Sequence, residues 1–153
     1  MNRLPSRWQC VRRTLAAAAI ALPLCAAHAA QTEEADLKEE IVLRCHNEMG
    51  EFGVEMVQRC IEEENAALKA VSSYPAEASG IVSRCKRYAH DRGWAMVKVC
   101  IDQDVAAAAA LAKYPAEHAA VIEQCRTEAE KQGVAKVKAC VDQRITAQPT
   151  TKP

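Results

Sequence analysis

Bulky side chains are what this sequence has least of. One Phe, two Trp and three Tyr make up 4% of its 153 residues, although 50% are hydrophobic. A core built on aromatic bulk is thereby excluded, and stability must come from small aliphatic groups and from something besides burial. No stretch alternates apolar and polar residues with period two over a useful length, so no β-sheet is expected. Neither C-x-x-C nor a histidine pair three or four residues apart occurs, which removes the local signatures of redox exchange and of zinc. G-x-S-x-G, H-E-x-x-H, a phosphate loop and the dinucleotide fingerprint are missing too. Basic and acidic residues balance at 20 each. Without a basic stripe to displace counterions from phosphates, nucleic acid is not an expected partner. No catalytic residue, cofactor or metal is expected, and the chain does not read as an enzyme.

What is present begins at the amino terminus. Arg3, Arg7, Arg12 and Arg13 precede the apolar run Leu15 to Ala27, and Ala27-His28-Ala29 closes it. These are the n-region, h-region and A-x-A site of a secretory signal peptide, residues 1–29, cut after Ala29. The run falls short of the roughly 20 residues a spanning helix needs and contains Pro23, so no membrane span is expected after cleavage. Export places the chain in the periplasm if the host is Gram-negative. Cleavage removes Cys10 and Cys25 and leaves 16 basic and 20 acidic residues, eleven of the acids within 33–74. Such an acidic first unit suits the solvated cap that repeat arrays need.

The six remaining cysteines form one pattern three times. Cys45 and Cys60, Cys85 and Cys100, and Cys125 and Cys140 are C-x14-C pairs shifted by 40 residues, each with a glycine near its middle: Gly53, Gly93 and Gly133. If each unit is two antiparallel helices joined at that glycine, its thiols stand at nearly the same height on facing helices. Helix axes about 8–10 Å apart bring facing Cα atoms into the roughly 4.4–6.8 Å range of a disulfide. Unpaired buried thiols, metal ligands and redox thiols are the alternatives. The export signal and the spacing favour structural disulfides, and the internal symmetry selects Cys45–Cys60, Cys85–Cys100 and Cys125–Cys140.

Apolar residues recur at helical steps on both sides of each glycine. The first unit has Leu37, Ile41, Cys45, Met49 and Phe52, then Val54, Val57, Ile61, Leu68 and Val71. The second has Ile81, Cys85 and Ala89, then Trp94, Val97, Ile101, Ala108 and Leu111; the third has Ile122, Cys125 and Ala129, then Val134, Val137, Val141 and Ile145. Tyr74-Pro75 and Tyr114-Pro115 divide the units, because proline suits a first helical turn and disfavours helix just before it. The glycines suit the left-handed position that ends a first helix. Alanine-rich 105–112 reads as a tightly packed central helix. The fold class is all-α: three disulfide-stapled antiparallel hairpins of about 18-residue helices stacked as a short solenoid over 30–146. The units are 33–74, 75–114 and 115–146, with 147–153 a disordered tail.

Gly93-Trp94-Ala95-Met96-Val97-Lys98-Val99-Cys100-Ile101-Asp102-Gln103-Asp104 resembles a G-W-x-M-V-K-x-C-x-D-Q-D signature of uncharacterised exported or membrane-linked bacterial proteins. The third unit keeps Gly133, Val137, Lys138, Cys140, Asp142 and Gln143, while the first has Glu62-Glu63-Glu64 in place of Asp-Gln-Asp. That resemblance implies no established activity. The architecture is similar to Sel1-type and tetratricopeptide repeats, with a longer period and without their consensus residues. Those repeats are mostly protein-binding scaffolds, which is the implied role here.

Two polar features remain. His46, His90 and His118 occupy non-equivalent positions with no second histidine at i+3 or i+4, so metal binding is not expected, and His46 reads as a surface residue. Glu62, Asp102 and Asp142, followed in the later units by Gln103 and Gln143, form a row on the second helices. Weak pairing with Lys98 and Lys138 is the plain account of the row, and a surface recognising a partner's basic or amide groups is the functional one. The leading expectation is a protein-binding or scaffold module of the cell envelope with an unidentified protein partner. A small secreted inhibitor or stress-response protein, and a thiol-redox or metal-binding protein, are the alternatives.

Overall fold

The computed structural model describes residues 22–147. Six α-helices occupy most of that span: α1 (Leu22–Met49), α2 (Val54–Ser72), α3 (Ser79–Ala89), α4 (Trp94–Leu111), α5 (Ala119–Ala129) and α6 (Val134–Ala147). No strand interrupts them among the described residues. The expected signal segment 1–29 falls largely outside these residues, as do 148–153 of the expected tail; α1 runs unbroken through Ala29. No described helix is long and apolar enough to cross a membrane.

Each pair α1/α2, α3/α4 and α5/α6 is a hairpin closed by one disulfide. Cys45–Cys60, Cys85–Cys100 and Cys125–Cys140 all have Cα atoms 5.7 Å apart, as equal heights on facing helices require. Three such bridges are the chemistry of an oxidising compartment. The hairpins stack through their second helices, α2 on α4 and α4 on α6, so these three form a spine. The first helices lie beside it, each against its own partner.

The second helices α2 and α4, with 19 and 18 residues, match the expected length, whereas the first helices α3 and α5 have only 11 each. Their ends are spent on single 3₁₀ turns. Ala76–Ala78 and Ala116–His118 follow the prolines, and His90–Arg92 and Glu130–Gln132 precede the glycines.

The glycines have positive φ, as expected, but they do not end the first helices. Gly53, Gly93 and Gly133 have φ of 97°, 98° and 105° with ψ of 168°, 166° and 165°. That region is open essentially to glycine alone. Each residue starts the second helix: the Val57, Val97 and Val137 N–H groups donate to the Gly53, Gly93 and Gly133 carbonyls at 3.3, 3.1 and 3.3 Å. A glycine has no side chain with which to cap. The free N–H groups of the following turn must therefore find acceptors elsewhere.

The core follows the expected stripe. Ile41, Val57, Val71, Trp94, Val97 and Ile101 are buried with Cys45 and Cys85 in one cluster, and Leu111, Val137 and Val141 with Cys125 in a second. Phe52 and Val54 are exceptions, 63% and 80% exposed. Trp94, the counterpart of Val54, is only 3% exposed. A preceding unit covers Trp94, and no described residue covers Val54 in the same way. The alanine-rich α4 is central as expected, but its small side chains do not close the space beside it; a groove of about 640 Å³ runs along Ala108, Leu111 and Ala112.

Candidate functional site

The joints between units concentrate the polar chemistry of the molecule. In the first joint the Glu64 carboxylate, near the middle of α2, accepts hydrogen bonds from the Trp94 N–H at 2.5 Å and the Ala95 N–H at 3.4 Å. It thereby supplies the cap that Gly93 cannot. Arg44 on α1 holds the same carboxylate, Nη2 to Oε2 2.5 Å, and both side chains are nearly buried. The second joint repeats this one unit later: Asp104 accepts from the Ala135 N–H at 2.9 Å and pairs with Arg84 at 2.5 Å. Arg84 also donates to Cys85 and Cys100 Sγ, 3.1 Å each, which ties the ion pair to the staple. A negative group at the start of a helix meets the positive end of its dipole, so charge and hydrogen bonding act together.

These pairs give the glycines a second duty. A Cβ on Gly93 would stand 2.6 Å from Glu64 Oε1 and 3.0 Å from Arg44 Cζ, and one on Gly133 would stand 2.7 Å from the Arg84 guanidinium. Among the described residues nothing lies within 4 Å of the corresponding point at Gly53.

A second latch crosses each joint at its edge. The Tyr74 hydroxyl donates to Asp102 and the Tyr114 hydroxyl to Asp142, while Lys98 and Lys138 donate to the same carboxylates at 2.6 Å each. The lysine bonds, then the tyrosine bonds, hold Asp102 and Asp142 below their ordinary value of 3.8. Burial, followed by the bond to Asp102, pushes Tyr74 up to about 12, and the bond to Asp142 raises Tyr114. Carboxylates lowered in the folded state contribute stability above their unfolded value that is lost as pH falls through the folded one. Phenols raised in the folded state contribute below 10.0, and that part is lost as pH climbs from there toward about 12. The Tm should therefore hold level between about pH 5 and 9 and decline on both sides. A Tyr74→Phe, Tyr114→Phe double variant should lose much of the alkaline decline. An unchanged alkaline limb in that variant removes the latch from the account.

The predicted row of polar residues thus divides. Asp102 and Asp142 take a tyrosine from the preceding unit, and Lys98 and Lys138 supply the plain pairing. Among the described residues Glu62 takes only Gln58 Nε2, at 2.9 Å, and position 34, where a preceding tyrosine would stand, is Glu34. Gln103 and Gln143 are exposed beside the row.

Asp104 closes the signature stretch and Glu64 its counterpart in the first unit, but nothing local in the sequence marks Arg44 and Arg84 or pairs them with these acids. Superposing the units at the 40-residue shift finds them: Arg44 with Glu64, Arg84 with Asp104, then Gln124 with Arg144. The third pair reverses the pattern. Arg144 bonds Gln124 Oε1 at 3.0 Å and Glu128 at 2.6 Å, so the last spine helix offers a cation where the others offer an acid.

The opposite end presents the receiving half of a joint. Gly53 has the backbone of its counterparts, and Val54, Gln58, Arg59 and Glu62 line a shallow concavity beside it. Phe52 and Val54 add exposed apolar surface. Among the described residues no three His, Cys, Asp or Glu side chains converge as metal ligands. The chain matches no protein-family model, no curated protein and no solved structure.

Proposed function

We propose that this is an exported protein-binding module of the cell envelope, periplasmic in a Gram-negative host, and that it docks its partner on the open face of the first unit. One observation supports this reading: the face repeats the receiving side of the two internal joints, yet among the described residues no preceding unit occupies it. The internal joints state what a covering surface supplies. It brings a carboxylate to the start of the second helix, a hydroxyl to the acid of the row, and apolar cover for the residue after the glycine. The corresponding groups here are the first N–H groups of α2, Glu62, and Val54 with Phe52. The partner is accordingly a helical surface bearing an acid and a hydroxyl beside an apolar patch. The cationic Arg144 at the other end does not match this face, so head-to-tail growth of the chain on itself is disfavoured.

Site-specific photocrosslinkers at positions 52 and 54 in the native envelope test the reading. Both should give the same discrete adduct, absent when the probe replaces Leu43, another exposed apolar residue, and diminished by Glu62→Lys. Adducts shared by all three positions, or none from 52 and 54, would overturn it.

A further inference from the structure

The two internal joints are built on one plan but are not equally filled. In the first, Trp94 is buried in the cluster that joins the two units, and Leu68 packs against that cluster. Lys86 Nζ stands 5.5 Å from the ring centroid, and His90 meets the ring edge-on at 5.1 Å. In the second, Val134 replaces Trp94, Ala108 replaces Leu68 and Arg126 replaces Lys86. The backbone plan is kept, with Gly133 and Asp104 standing for Gly93 and Glu64. The result is the groove of about 640 Å³, which Ile81, Ala108, Leu111, Ile122 and Val134 line with Arg126. Its volume falls in the roughly 300–1,000 Å³ range of ligand sites.

We propose that this groove binds a tryptophan side chain presented by a peptide segment of another protein, in the position that Trp94 occupies one unit earlier. The missing indole and isobutyl groups define the shape of the guest. Arg126 supplies the cation that Lys86 supplies over Trp94; it is exposed and lies 3.4 Å from Glu123. Its guanidinium stacks well on an aromatic face. The groove is open along one side and is much larger than one indole, leaving room for the backbone on either side of the ring. Glu123 and Thr127 at the rim offer that backbone polar groups. The inference is independent of what docks on the first unit.

The test titrates the oxidised protein with glycyl-tryptophanyl-glycine, glycyl-leucyl-glycine and free indole, following the methyl resonances of Ile81, Leu111, Ile122 and Val134. The tryptophan peptide should saturate with a Kd on the order of 0.1–1 mM, at least about fivefold tighter than the leucine peptide. Val134→Trp should fill the groove from within and weaken the peptide at least about tenfold while Tm holds or rises. Ala108→Leu, a smaller filling, should weaken it in the same direction if the first variant fails to fold. Equal binding of the leucine peptide, saturable binding of free indole with none of the tryptophan peptide, undiminished binding in a folded filled variant, or no saturable shift would each overturn the proposal.

Discussion

Reducing the three disulfides should abolish the cooperative thermal transition of this protein or lower its Tm by tens of degrees. The reason lies in the first helices. α3 and α5 have 11 residues each, below the roughly 12–15 at which even favourable isolated helices become marginal in water. Each buries only a cysteine and an alanine: Cys85 with Ala89, and Cys125 with Ala129. Ile81 and Val82 on α3, and Val121 and Ile122 on α5, add only partly buried contacts, so the bridge is a main tie to the spine. Closing a loop of about 15 residues contributes roughly 3 kcal/mol in the chain-entropy model, and three such loops on the order of 9 kcal/mol. The whole net stability of a domain is about 5–15 kcal/mol. Circular dichroism melts with and without a strong reductant make the comparison. A reduced Tm within about 5 °C of the oxidised one would show that packing alone suffices. The double variant Cys125→Ala, Cys140→Ala localises the effect. Amide exchange protection should vanish over 119–129 while α4 keeps its own.

Equivalent positions of the repeat should respond very differently to the same change. Glu64→Ala should destabilise by about 3–5 kcal/mol, the usual cost of breaking a buried pair from one side. The variant leaves Arg44 with a nearly buried charge and leaves the Trp94 and Ala95 N–H groups without their acceptor. Glu64→Gln retains an acceptor and should cost less, about 1–3 kcal/mol. Arg144→Ala, two units later, should cost under about 1 kcal/mol, because its partners Gln124 and Glu128 are exposed. Denaturant midpoints for the three variants decide the matter. If Glu64→Ala and Arg144→Ala differ by less than about 1 kcal/mol, the carboxylate does not hold the joint.

Much of the fold is legible along the chain. The equal offsets of the cysteines about each glycine predict antiparallel helices, and the bridges form at the predicted pairs. The helical stripe predicts which side of each helix is buried. It fails at Phe52 and Val54 because periodicity identifies an apolar face without saying whether anything covers it. The glycines are legible as positive-φ positions, but their ψ is not, so their placement at the start of the second helix emerges only in three dimensions. The polar row was visible as Glu62, Asp102 and Asp142, while its tyrosine partners, 28 residues away, read only as unit punctuation. The buried acids were hidden for a similar reason. Glu64 looks like one more member of an acidic run until the next unit's helix is set upon it.

By itself the sequence determined the number of units, their helical character and the closure of each hairpin, since these depend on spacing and period within some forty residues. The tertiary structure alone decided how one hairpin meets the next. The stack runs through the second helices because only there does a glycine-started helix bring uncapped N–H groups against a neighbour's carboxylate. It also decided which joint is filled and which is open, because a tryptophan exchanged for a valine becomes a groove only when the surfaces on both sides of it are already in place.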